Sequence, residues 1–162
     1  MPTDKIEILL VEDDPEDLEL TMHSLNEEHI CNRIQVARDG EEALDFLFCR
    51  GIHSERKPNN FPKLILLDLK LPKVDGLEVL QQIKSDPRTR ALPVVILTSS
   101  RQEQDMVQGY QLGVNSYIQK PVDFDQFRKA IKQLGFYWLV VNQPPPQAAL
   151  DRGSHNEVLS CA

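Results

Sequence analysis

The sequence predicts an α/β fold, an open and mostly parallel sheet with helices on both faces. Two observations carry that expectation. Short apolar segments rich in Ile, Leu and Val alternate five times with stretches whose apolar residues recur at helical spacing. Each candidate strand is also followed by one helical stretch before the next, so consecutive strands need right-handed crossovers and run parallel. A chain of 162 residues with 41% hydrophobic and 27% charged residues suits one globular domain.

The elements follow in order. Residues 6–11 (IEILLV) form the first strand, and Leu18, Met22 and Leu25 mark the first helix. Asp14 ahead of Pro15 fits an N-cap followed by proline at the first helical position. Residues 33–37 form the second strand, and Ala43, Leu44, Leu47 and Phe48 line the second helix. Residues 51–62 (GIHSERKPNNFP) are polar and turn-rich, which predicts a long surface loop. Residues 64–67 (LILL) are the third strand, with Leu77, Leu80 and Ile83 on the third helix. Residues 93–98 give the fourth strand, followed by a helix carrying Met106 and Tyr110. Residues 116–118 form the fifth strand, and Phe124, Phe127, Ile131 and Leu134 line a last helix capped by Asp123 and ended by Gly135 at C′. An apolar extension, residues 136–141, runs into Pro144, Pro145 and Pro146 and a small polar tail, which divides the chain at 1–141 and 142–162.

Composition excludes several classes of function. The balance of 18 basic against 25 acidic residues, net −7, lacks the basic footprint of a direct nucleic-acid binder, so protein partners are expected. The longest apolar run, residues 136–141, is too short to span a membrane, and no charged, apolar leader opens the chain, so the expected compartment is the cytoplasm. Cys31, Cys49 and Cys161 are odd in number and show no CxxC spacing, as for reduced thiols.

In an open parallel sheet, ligands bind beyond the carboxyl ends of the strands. Glu12, Asp13 and Asp14 follow the first strand there, Asp68 the third, Thr98 ends the fourth, and Lys120 follows the fifth. Clustered carboxylates repel one another unless a cation sits among them, and hard oxygen ligands suit Mg²⁺. With such an ion, the Lys120 ammonium and the Thr98 hydroxyl complete a pocket for phosphoryl oxygens, and Asp68 can act as nucleophile. Any one of these residues alone reads as a cap, a loop residue or surface charge. Together, at four of the five strand ends, they make a constellation.

The strings LLVEDDPED, LILLDLKLPKVDGLEVL, PVVILTSS and SYIQKP, in this order and spacing, resemble the receiver domain of two-component response regulators over about residues 6–134. The resemblance implies a flavodoxin-like (βα)5 fold of strand order 2-1-3-4-5, the order the chemotaxis receiver exemplifies. It implies Asp68 as phosphoacceptor, and Asp13, Asp68 and the backbone carbonyl of Lys70 as Mg²⁺ ligands, with Glu12 helping through water. Thr98 and Lys120 match the switch threonine and phosphate-binding lysine, Tyr117 matches the switch aromatic, and the Lys120-Pro121 bond is a candidate cis peptide. Too few residues follow Gly135 for an output domain, so output is expected through the receiver itself. The long loop, the LKLP after Asp68 and the aromatic extension resemble single-domain regulators paired with cyanobacterial phytochromes, which implies a light-sensing histidine kinase as partner. The exposed aromatic segment further predicts a homodimer.

Two other classes compete. An aspartyl-phosphate phosphatase of the haloacid dehalogenase type needs a second Asp two residues after the nucleophile, where this chain has Lys70. A phosphate-independent pseudo-receiver typically lacks an acidic-pair or acceptor residue, and this chain keeps each of them.

Overall fold

The computed structural model describes residues 6–27, 33–58, 60–99, 102–120 and 123–143. Its strands are β1 (Ile8–Val11), β2 (Ile34–Ala37), β3 (Leu64–Leu67), β4 (Val94–Thr98) and β5 (Ser116–Gln119). Its α-helices are α1 (Pro15–Asn26), α2 (Gly40–Leu47), α3 (Gly76–Ser85), α4 (Glu103–Gln111) and α5 (Phe124–Phe136). The sheet runs β2-β1-β3-β4-β5 with each neighbouring pair parallel. It is the flavodoxin-like order that the resemblance implies.

Strand periodicity divides the core into two layers. Ile8 and Leu10 face Leu18 and Leu25 of α1 and Phe127, Ile131 and Leu134 of α5. Leu9 and Val11 face Ala43, Leu44 and Leu47 of α2 and Val79, Leu80 and Ile83 of α3. The central β3 is covered on both sides, which is why LILL is continuously apolar rather than alternating.

The local signals at the helix starts are realised. The Asp14 carboxylate accepts from the backbone N–H groups of Glu16 and Asp17 at 2.9 and 3.2 Å, with Pro15 opening α1. Asp123 accepts in the same way from Asp125 and Gln126 at 2.8 and 3.3 Å. The C-terminal end differs from expectation. Gly135 does not stop α5; it is buried inside the helix, which continues through Phe136 into a π-helical turn, Tyr137–Val141. The turn is closed by the Asn142 N–H donating to the Tyr137 carbonyl at 2.6 Å. Trp138 and Leu139 pack on the α1–α5 core, and that burial favours continued winding over a glycine stop. Residues 144–162, including the three prolines, lie outside the described residues, as does Pro121 of the candidate cis peptide.

The long α2–β3 loop contains a 3-10 turn, Gly51–His53, and is pinned by Arg56. The Arg56 guanidinium lies 3.6 Å over the Phe46 ring and donates to the carbonyls of Phe46 and Asn60.

One close approach sets the entry to α3. A Cβ at Gly76 would stand 2.3 Å from the Asp68 carbonyl oxygen and 2.5 Å from Leu69 Cα, and the Gly76 N–H donates to the Leu69 carbonyl at 2.9 Å. The loop from Asp68 to Gly76 closes only because glycine has no side chain there. Gly76→Ala is therefore expected to destabilise the fold by about 1–3 kcal/mol, the usual range for overpacking. Urea denaturation reads this directly, and an unchanged midpoint would contradict it.

Candidate functional site

The strand register brings the candidate residues to one edge. Val11 pairs with Leu67, Leu67 with Ile96, and Thr98 with Gln119, so β1, β3, β4 and β5 end nearly in step. Backbone bonds extend that alignment past the strands. The Asp68 N–H donates to the Val11 carbonyl at 3.0 Å, the Glu12 N–H to Ala37 at 3.0 Å, and the Lys120 N–H to Thr98 at 2.7 Å.

Lys120 is the hub. Its Nζ lies 2.6 Å from Glu12 Oε2, 2.8 Å from Asp17 Oδ2 and 3.3 Å from Asp68 Oδ2, with its side chain only 7% exposed. Burial disfavours the ammonium, but the bonds to Asp17 and Glu12 and the charge of Asp68 outweigh it, so Lys120 stays protonated well beyond the ordinary lysine range. Glu12 shows the opposite balance. Burial pushes its carboxyl up to about 7, helped by the charge of Asp68 and opposed by Lys120 and the Asp14 N–H, which donates to Oε1 at 3.1 Å.

Carboxylate oxygens of Glu12, Asp13 and Asp68 all lie within 4.8 Å of one another. Asp13 is exposed while Glu12 and Asp68 are buried, so the cluster is open to solvent on one side. Three hard oxygen donors at this spacing fit a divalent cation of the Mg²⁺ or Mn²⁺ type. Asp13 also lines an open cleft of about 520 Å³, with Lys70, Asp75, Gln102 and Asp105 on its other walls. The Lys70 side chain is exposed, and its backbone N–H faces Asp68 Oδ1 at 3.4 Å.

Thr98 is fully buried at the end of β4. Tyr117 packs on the α2–α3 side of the sheet. Its ring packs on that core and its hydroxyl oxygen is buried, an inward orientation rather than the wet one usual for an edge-strand tyrosine. Gly109 of α4 lies over Ile96 and the Tyr117 ring: a Cβ there would stand 3.1 Å from Ile96 Cδ1 and in ordinary contact, 3.6 Å, with Tyr117 Cδ2.

Glu12, Asp13, Asp68 and Lys120 thus meet at one edge of the sheet, where Thr98 ends the neighbouring β4. Sequence reasoning missed Asp17. It reads as one more acid in the first turn of a helix, where the macrodipole favours negative charge, yet its carboxylate reaches back to Lys120. The available signal was numerical: several carboxylates share one lysine at this edge.

The response regulator receiver domain family matches residues 8–132. Among curated relatives, response regulator Rcp1 of Synechocystis is 41% identical over 132 residues, covering 82% of this chain and 88% of that one. The solved Mn²⁺-bound form of Rcp1 superposes with a TM-score of 0.81 at 38% identity, covering 88% and 99% of the two chains. A probable methanogenesis regulatory protein, FilR2 of Methanothrix harundinacea, is 43% identical over 141 residues, or 87% of this chain and 88% of that one. The structure of the phosphorylated cyanobacterial phytochrome response regulator RcpA also gives a TM-score of 0.81, at 38% identity over 88% and 99% of the two chains.

Proposed function

The chain belongs to the response regulator receiver family, and from that premise we propose that it takes a phosphoryl group from a histidine kinase onto Asp68 and signals through its own receiver surface. The observation that carries this reading is the meeting of the Glu12, Asp13 and Asp68 carboxylates within 4.8 Å, with Lys120 Nζ 3.3 Å from Asp68. In the transfer, an Asp68 carboxylate oxygen attacks the phosphorus of a phosphohistidine. The new P–O bond forms as the P–N bond breaks, and the departing imidazole nitrogen takes a proton.

Asp13, Asp68 and the backbone carbonyl of Lys70 are the proposed Mg²⁺ ligands, with Glu12 acting through water, and the ion would supply positive charge against the phosphoryl oxygens. Lys120 neutralises part of the same charge, and Thr98 offers a hydroxyl to a phosphoryl oxygen as it moves toward the site. Tyr117 follows Thr98 as the switch aromatic on the α4 side. A phytochrome-type kinase is the proposed donor, supported by the likeness to RcpA, and the cytoplasm the proposed compartment. Among the described residues no helix is long and apolar enough to cross a membrane. The receiver unit is proposed to end at residue 141, with 142–162 as a tail.

Acetyl phosphate with Mg²⁺ should label the wild-type chain with a stable acyl phosphate. Asp68→Asn should abolish the label, and Asp13→Ala should weaken Mg²⁺ binding and labelling together. Undiminished labelling of Asp68→Asn would overturn the assignment. Silence of the wild type would point to the pseudo-receiver, and turnover without a stable adduct to a phosphatase.

A homodimer is proposed on the outer face of α5 and its extension. Trp138 and Leu139 fold back on their own core, whereas Phe136, Tyr137, Val140 and Val141 are each about half exposed, and Phe124 is 59% exposed. Such a patch favours a partner, and isologous packing across α4, β5 and α5 would set the extension beside Tyr117. Light scattering at high micromolar concentration should give the dimer mass, and a monomer mass both with and without phosphorylation would reject the dimer.

A further inference from the structure

We propose that Asp17 is a positioning residue: its carboxylate holds the Lys120 ammonium while Asp68 is unmodified and gives way when a phosphoryl group arrives. The proposal rests on the reading of Asp68 as phosphoacceptor. An ammonium has three N–H donors, and in this structure Glu12, Asp17 and Asp68 accept from Lys120 at 2.6, 2.8 and 3.3 Å. The two shorter bonds go to residues following β1, so the ammonium is drawn toward α1 and is farthest from the residue it is to serve.

A phosphoryl group on Asp68 replaces one carboxylate with three oxygens carrying more negative charge. The Asp68 oxygen that becomes the acyl bridge is a poorer acceptor, which frees one donor of Lys120. A second donor can turn to the phosphoryl group only if Glu12 or Asp17 lets go. Burial decides which. The Glu12 side chain is 4% exposed and is also held by the Asp14 N–H, so releasing it would strand a charge away from water. The Asp17 side chain is 35% exposed, and water can replace the ammonium there at small cost. Asp17 is therefore the exchangeable partner.

The exchange also has an outlet. Asp17 lines a cleft of about 720 Å³ between α1 and α5, together with Glu16, Leu20, His23, Phe124 and Phe127. Release leaves an uncompensated carboxylate on that wall, so modification of Asp68 becomes a change of charge on the α1–α5 face.

Beryllofluoride, a phosphoryl mimic, tests this by ¹⁹F NMR of the bound anion at saturating Mg²⁺. Asp17→Asn removes the competitor and should bind beryllofluoride about three- to ten-fold more tightly, the effect of one partly exposed charge-assisted bond. Asp17→Ala should do the same, a tightening that loss of a merely structural acid in the first turn would not produce, and Asp17→Glu, which keeps a carboxylate for Lys120, should restore wild-type affinity. Wild-type binding with unchanged or weaker binding by both Asp17→Asn and Asp17→Ala would overturn the positioning role and leave the phosphoacceptor reading standing. No bound signal from the wild type would overturn both.

Discussion

One buried ammonium holds this site together. A parallel sheet that ends its central strands in step forces whatever follows them into the same few ångströms, and here that includes two buried carboxylates, Glu12 and Asp68. With oxygens within 4.8 Å and an effective dielectric constant of about 20, their repulsion is on the order of 3 kcal/mol. Lys120 offsets it by meeting both, and Asp17 as well. The acidic edge is stable enough to fold and still carries more negative than positive charge, which leaves it receptive to a divalent cation.

Asp68 lies where the two halves of the core meet. On one side Lys120 and Asp17 connect it to α1, whose inner face packs with α5. On the other, Thr98 ends β4, and β5 pairs with it to carry Tyr117 into the layer beneath α4. On the proposed reading, a change of charge at Asp68 would have two physical routes outward: an electrostatic one through the lysine to the α1–α5 cleft, and a packing one through the threonine and the tyrosine ring. The apolar extension beyond α5 borders the first route through Trp138 and Leu139.

What was legible in the sequence was what local chemistry decides. The apolar strands, the helical spacing and the capping aspartates Asp14 and Asp123 are short-range signals, and they place the elements to within a residue or two. The convergence of Asp13, Asp68, Thr98 and Lys120 was legible because strand ends in a parallel sheet share one edge. Tertiary contacts decided the rest. Asp17 is indistinguishable in sequence from a dipole-complementing acid, Gly76 from an ordinary turn glycine, and Gly135 from a helix stop until Trp138 and Leu139 find a surface to bury against. The inward Tyr117 ring depends on packing against the core beneath α4, which the sequence around it does not display.

Asp68 is the carboxylate of this acidic edge proposed to carry the phosphoryl group. Borohydride reduces an acyl phosphate of aspartate to homoserine, so treating the phosphorylated chain and mapping its peptides by mass spectrometry identifies the modified residue. Homoserine at position 68 alone is the expected result. Homoserine at position 13 or 17, or at none of these positions after verified phosphorylation, would contradict it.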